Sequence, residues 1–129
     1  MDALGRVGND EFAEMPKNRI VLVLDDIRSM HNVGSAFRTA DAFALEKIIL
    51  CGITAQPPHR EIEKTALGAT LTVAWEYEND VCEAVRKLKD ENYVILVVEQ
   101  TDESIFLQDF VFENDRKYAF IRKYFSETQ

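Results

Sequence analysis

Two adjoining stretches decide the fold: Ile20-Val21-Leu22-Val23-Leu24-Asp25-Asp26, and a few residues later Asn32-Val33-Gly34-Ser35-Ala36-Phe37-Arg38-Thr39-Ala40. An unbroken run of β-branched and Leu side chains lacks the alternation of a half-solvated strand, so Ile20–Leu24 reads as a strand buried on both faces. Apolar residues then recur at Val33, Ala36, Phe37, Ala40 and Ala44, the spacing of one helix face, with Asn32 placed to cap that helix. A doubly buried strand leading directly into an amphipathic helix opens a βαβ unit.

The pattern continues outward. Lys47–Cys51 reads as a second buried strand, and Gly52 with Pro57-Pro58 as a loop. A short helix is expected from Arg60 to Leu67, stopping near Gly68, and Thr70–Tyr77 as a third strand. Asp80 and Glu83 have capping-box spacing before the amphipathic series Val81, Ala84, Val85 and Leu88. Tyr93–Val98 is the fourth strand and Lys117–Ile121 the fifth. Residues 1–18 read as a polar lead-in, with one helical stretch around Asp10–Met15, and 19–129 as the domain proper. Alternating strands and helices predict an α/β fold, a parallel sheet with flanking helices. Its ligand site is expected at the carboxyl ends of the strands, here Asp25–His31, Cys51–Pro58 and Glu99–Ser104.

Length and composition agree with one folded domain. The chain has 129 residues, 47% hydrophobic and 29% charged, enough for a core without staples. No apolar run approaches the roughly 18 residues of a membrane span, and the first residues lack the basic and apolar regions of an export signal. Two cysteines, Cys51 and Cys82, make no disulfide framework, so a reducing, cytoplasmic setting is expected. The net charge of −8 argues against broad affinity for nucleic acid. That excess is uneven: residues 18–71 carry six basic and six acidic groups, while 72–129 carry seven and thirteen. Within the neutral segment, Arg28, Arg38, Arg60 and Lys64 could form a local positive face.

The helix start after the first strand has a chemical reading and an ordinary one. A helix N-terminus offers N–H groups and a positive dipole end to a phosphate, Gly34 permits close approach, and Arg38 lies off the apolar stripe as a bidentate ligand. Equally, Asn32 is an ordinary cap and Arg38 a solvated charge, which is the more frequent case. Asp25-Asp26 invites comparison with a phosphoacceptor domain, but no third Asp ends the middle strand, and solvated strand-end acids are the simpler reading. His31, His59, Cys51 and Cys82 lack the close pair spacing of a zinc site, so no metal is expected. Cys51 reads as a small core residue. Glu99-Gln100-Thr101 could hold a ligand or merely close a loop.

Taken together, Leu24-Asp25-Asp26-Ile27-Arg28, His31-Asn32-Val33-Gly34 and Phe37-Arg38-Thr39-Ala40-Asp41-Ala42-Phe43 resemble motif 1 of the SpoU/TrmH branch of the SPOUT RNA methyltransferases. Lys64-Thr65-Ala66-Leu67-Gly68-Ala69 resembles the family's segment before the third strand, and Val98-Glu99-Gln100-Thr101 its fourth-strand end. The resemblance runs in order from about residue 20 to 121. It implies a Rossmann-like SPOUT half and S-adenosyl-L-methionine (AdoMet)-dependent methylation of a ribose 2′-OH of tRNA or rRNA by a homodimer. It makes Asn32 and Arg38 the catalytic-site residues, with Arg38 handling the target phosphate and helping to activate the hydroxyl. Glu99 and Gln100 become cofactor contacts, and Arg28, Arg60 and Lys64 RNA-backbone contacts.

One departure accompanies this resemblance. After the fifth strand the family continues into a Gly-Asn-Glu-x-x-Gly motif and a later Ser-Leu-Asn motif that closes a trefoil knot around AdoMet. This chain reads Arg122-Lys123-Tyr124-Phe125-Ser126-Glu127-Thr128-Gln129. The expectation is a C-terminally truncated domain, from a frameshift or incomplete gene, that lacks the knot, binds AdoMet poorly and does not turn over. The alternative is a non-enzymatic RNA- or protein-binding remnant of the same scaffold.

Overall fold

Strand β1 (Asn18–Asp25) lies at the centre of a five-stranded sheet. A computed structural model describes residues 18–98, 107, 108, 110, 112, 113 and 115–123. After β1 come α1 (Met30–Ala42), β2 (Leu45–Cys51), α2 (Arg60–Ala66), a 3-10 turn (Ala69–Leu71), β3 (Trp75–Glu78), α3 (Val81–Asp90), β4 (Tyr93–Val98) and β5 (Lys117–Lys123). The strand order is β3-β2-β1-β5-β4, with every pairing parallel.

The double burial expected of β1 is present: Val21, Val23 and Leu24 are fully buried and Leu22 nearly so. Alternate side chains feed two cores. Ile20, Leu22 and Leu24 join Val33, Phe37, Leu45, Ile48, Leu50, Ile62 and Phe120 on the face carrying α1 and α2. Val21 and Val23 join Ile49, Cys51, Ala84, Leu88, Ala119 and Ile121 on the α3 face. Chirality accounts for this division. The steps β1 to β2 and β2 to β3 advance along the sheet one way, and β3 to β4 returns past β1 the other way. Crossovers of one hand must therefore place α3 opposite α1 and α2. On the α1 face, Phe110 packs edge-on against Tyr118 and Phe120, each ring centroid 5.4 Å away, which seals β5 from that side.

Four expectations need correction. Helix α1 begins earlier than Asn32: Ser29 is its cap, in extended conformation, and its hydroxyl accepts the Asn32 N–H. Asn32 thus sits within the first turn, because Ser29 meets the extended chain leaving β1 first. The proposed strand Thr70–Tyr77 forms only from Trp75 to Glu78. Gly68, at φ 89°, turns the chain into the 3-10 segment, where Leu71 N–H donates to Gly68 and Thr72 and Val73 N–H to Ala69. Thr70 then bonds Glu63 rather than a neighbouring strand. The Asp80–Glu83 box is half made: Asp80 caps α3 through Cys82 N–H at 2.9 Å, while Glu83 pairs with Arg86 at 2.6 Å. Strand β1 also starts at Asn18, one residue inside the expected lead-in. The Asp10–Met15 expectation lies outside the described residues. Among those residues no helix is long and apolar enough to cross a membrane.

Helices α1 and α2 meet at Gly34. A Cβ there would stand 2.0 Å from Thr65 Oγ1, 2.2 Å from the Ile62 carbonyl oxygen and 3.0 Å from Ala66 N. Two of those atoms are backbone and cannot rotate away. Thr65 fastens the same contact by donating to the His31 carbonyl at 2.9 Å. Gly34→Ala is expected to lower the urea-unfolding free energy by about 2–3 kcal/mol, the upper range for overpacking. Gly68→Ala, with open space around it but a positive φ, should cost about 1 kcal/mol. Equal losses would mean that Gly34 does not set the helix spacing.

Candidate functional site

The carboxyl ends of β1 and β2 are joined by a small set of hydrogen bonds. Asp26, at φ 55°, accepts the Ile53 N–H on Oδ1 at 3.0 Å, and its own N–H donates to the Cys51 carbonyl at 3.2 Å. Gly52 answers at φ 65°; a Cβ there would lie 2.0 Å from Asp26 Oδ1. Thr54, buried, accepts the Ile27 N–H at 3.0 Å and donates to the Leu24 carbonyl at 3.1 Å. The path from β1 into α1 is therefore held from the side by the loop after β2.

That path carries the residues expected to face a ligand. Arg28 is exposed in the β1–α1 loop and Asn32 half-buried in the first turn of α1. Arg38 is exposed farther along the helix, eight residues and thus about 12 Å from Met30. At 100° per residue, Arg38 shares a stripe with His31 and Ser35, whereas Asn32 lies about a third of a turn away. Helical Cα–Cβ bonds tilt toward the N-terminus, and the long Arg38 side chain starts in that direction, toward the strand ends. The helix start is largely self-satisfied: Ser29 takes the Asn32 N–H at 3.1 Å through its hydroxyl and the Val33 N–H at 3.0 Å through its carbonyl. These bonds leave the start of α1 with two of its N–H groups already occupied.

Helix α2 adds the second group. Arg60 is exposed at its first position and Lys64 one turn on, bridging Glu61 at 3.2 Å. His59 caps this helix, its Nδ1 accepting the Glu61 N–H at 3.1 Å. Because α2 is fastened to α1 at Gly34 and Thr65, the β1–α1 loop and the two helices carry Arg28, Arg38, Arg60 and Lys64 on one joined unit. Glu99 and Gln100 lie outside the described residues.

The strand-end acids differ from the solvated pair expected. Asp26 is exposed, but Asp25 is buried beside Lys123, whose Nζ lies 3.8 Å from Oδ2. Burial raises the Asp25 carboxyl above its usual 3.8; neighbouring Asp26 and Asp80 add to the shift and Lys123 opposes it. Cys51 is a core residue as expected, and burial, with Asp25 and Glu78 nearby, pushes its thiol up to about 12. Among the described residues no group of three His, Cys, Asp or Glu side chains could hold a metal ion.

The sequence reading missed Thr54 and Thr65 as organisers of this edge. A lone threonine in a loop or short helix carries no spacing signal, and only the tertiary contact reveals it. On the opposite face, Val81, Val85, Val97 and Ile121 line an apolar groove of about 380 Å³ rimmed by Arg86, Lys89 and Lys123. No carboxylate or amide lines that groove, so the described residues supply an apolar wall there without groups to orient a polar, cationic cofactor.

Asp25 gives this edge a pH dependence of definite sign. Its folded pKa lies above the unfolded value, so the native state holds more protons between the two and stability falls as pH rises through that window. Asp25→Asn is expected to raise Tm at neutral pH, with the gain disappearing as pH falls through the ordinary carboxylate range. A lower Tm at neutral pH would show that the Lys123 pair outweighs burial.

Comparison with known proteins finds similarity over most of the chain. The family model described as SpoU rRNA Methylase family matches residues 19–121. The 23S rRNA (guanosine-2′-O-)-methyltransferase RlmB of Neisseria meningitidis is 27% identical over 95 residues, covering 74% of this chain and 38% of that relative. RlmB of Bordetella pertussis is 28% identical over 105 residues, covering 80% and 43%. The chain thus spans less than half the length of these curated relatives. In fold it is similar to the TrmH/SpoU tRNA modifying enzyme of A. aeolicus, with TM-score 0.68 at 15% identity, covering 89% of this chain and 57% of that one. The AdoMet-bound rRNA methyltransferase of Sinorhizobium meliloti gives TM-score 0.65 at 18% identity, covering 85% and 42%.

Proposed function

The chain belongs to the SpoU rRNA Methylase family, and we propose that it carries the RNA-facing part of an AdoMet-dependent ribose 2′-O-methyltransferase site. The observation that carries this reading is the α1–α2 unit at the carboxyl edge of the sheet, with Arg38 exposed on α1 and Asn32 in its first turn. A ribose hydroxyl is a weak nucleophile until its developing alkoxide is stabilised. An Arg next to the target phosphate does this through charge and through a fork of donors that fixes the nucleotide. Arg38 takes that role, Asn32 orients the ribose, and Arg28, Arg60 and Lys64 neutralise flanking phosphates. With a net charge of −8, affinity depends on this local set rather than on the whole surface. The RNA is rRNA or tRNA, and the working form is a homodimer.

AdoMet, when bound, supplies the methyl group. The residues proposed to contact it are Glu99 and Gln100. Where the resemblance implies a Gly-Asn-Glu motif beyond the Ile121 strand end, this chain reads Arg122 and Lys123, which continue β5. Arg122 is buried, paired in register with Leu24 and Val98. Lys123 pairs there with Asp25, and neither residue matches the cofactor motif that the resemblance implies. The chain is therefore proposed to hold RNA at the α1–α2 edge while binding AdoMet weakly and without turnover. The alternative is a non-enzymatic RNA- or protein-binding remnant of the same scaffold, and the apolar groove beside α3 favours its protein-binding form.

Fluorescence anisotropy with labelled fragments of 23S rRNA tests this reading. Arg38→Ala should weaken binding about tenfold, equivalent to about 1.4 kcal/mol, while Arg86→Ala on the opposite face should leave it unchanged. Equal binding by wild type and Arg38→Ala would overturn the RNA assignment. Calorimetry should give no saturation by AdoMet at micromolar concentration. A saturating titration would overturn the weak-cofactor assignment.

A further inference from the structure

We propose that Thr54 is a positioning residue for the RNA-facing edge, holding the β1–α1 turn in the conformation that presents Arg28 and starts α1 at Ser29. This rests on the RNA reading above and adds a residue from a different loop. Its hydroxyl is inserted across the tight turn Leu24-Asp25-Asp26-Ile27, donating to the first residue's carbonyl at 3.1 Å and accepting the fourth residue's N–H at 3.0 Å. In many turns those two groups face each other directly. Here a buried side chain from 27 to 30 residues away bridges them.

The return contact is Asp26, whose carboxylate accepts the Ile53 N–H at 3.0 Å. Each loop thus fixes the other's backbone, and the two move as one piece. From Thr54 the constraint passes to Ile27 N–H and through Arg28 to Ser29. The Ser29 hydroxyl holds Asn32 N–H at 3.1 Å. The chain of contacts reaches two of the residues assigned to RNA, Arg28 and Asn32, while Thr54 itself is buried, only 3% exposed.

Removing the hydroxyl while keeping the volume isolates the effect. In Thr54→Val, Leu24 C=O and Ile27 N–H are buried without this partner, a condition that drives the turn to rearrange. Thr54→Ser keeps both hydrogen bonds and loses one methyl. Leu88→Ala, in the core on the α3 face, lowers stability without touching the turn.

The test measures binding of labelled 23S rRNA fragments and amide exchange at Ile27 for the wild type and all three variants, well below their melting temperatures. Thr54→Val is expected to weaken RNA binding and speed Ile27 exchange, each about tenfold. Thr54→Ser should stay within about twofold of wild type, and Leu88→Ala should bind RNA normally despite its lower Tm. If Thr54→Val binds RNA as wild type does, the positioning role is overturned while the RNA reading stands. If Leu88→Ala weakens binding as much as Thr54→Val at matched stability, Thr54 acts only through fold stability and the inference falls. If the wild type binds no RNA, the reading beneath it falls first.

Discussion

Everything in this molecule is arranged around a strand that cannot meet water on either side. Strand β1 sends Ile20, Leu22 and Leu24 into one core and Val21 and Val23 into the other. Both faces of the sheet must therefore be covered, and β1 must have a neighbour on each edge, which β2 and β5 supply. At roughly 1.5–3 kcal/mol for each fully buried aliphatic side chain, exposing either face would cost more than a domain of this size can lose. The crossover direction then assigns α1 and α2 to one face and α3 to the other.

Function follows from where that strand ends. Its carboxyl tip is polar, buried on one side and fastened on the other, so the chain leaves the sheet along a defined path. Asp25 faces Lys123, Asp26 and Thr54 stitch the tip to the loop after β2, and Ser29 starts α1. Gly34 then brings α2 to within van der Waals reach of α1. Rigid strands thereby position cationic side chains on a loop and two helices, the usual division of labour in open α/β sheets. The cations proposed to face RNA, Arg28, Arg38, Arg60 and Lys64, lie on that loop and those two helices in a protein of net charge −8.

Much of this could be read from the residues, and the failures have physical causes. The buried strands and the apolar stripe of α1 are visible because burial on two faces or one leaves a periodic signature, and Val33, Ala36, Phe37 and Ala40 are all buried. Motif 1 and the α2 segment were legible as a family resemblance, and the match over 19–121 bears it out. The start of α1 was misplaced because Ser29 and Asn32 are both good caps, and the choice is made by the turn before them. Thr70–Leu71 looked like a strand because β-branched propensity is weak against a glycine at positive φ. Asp25 looked solvated because burial of an acid depends on a lysine nearly a hundred residues later in the chain. Thr54 was invisible for the same reason.

The most direct test of the central claim is to locate RNA on the protein's surface. Purified chain irradiated with 23S rRNA fragments and analysed by mass spectrometry should yield nucleotide adducts on peptides spanning Arg28–Arg38 and Arg60–Lys64. Adducts confined to α3 and its basic rim at Arg86 and Lys89 would contradict the account, because they would place RNA on the opposite face of the sheet.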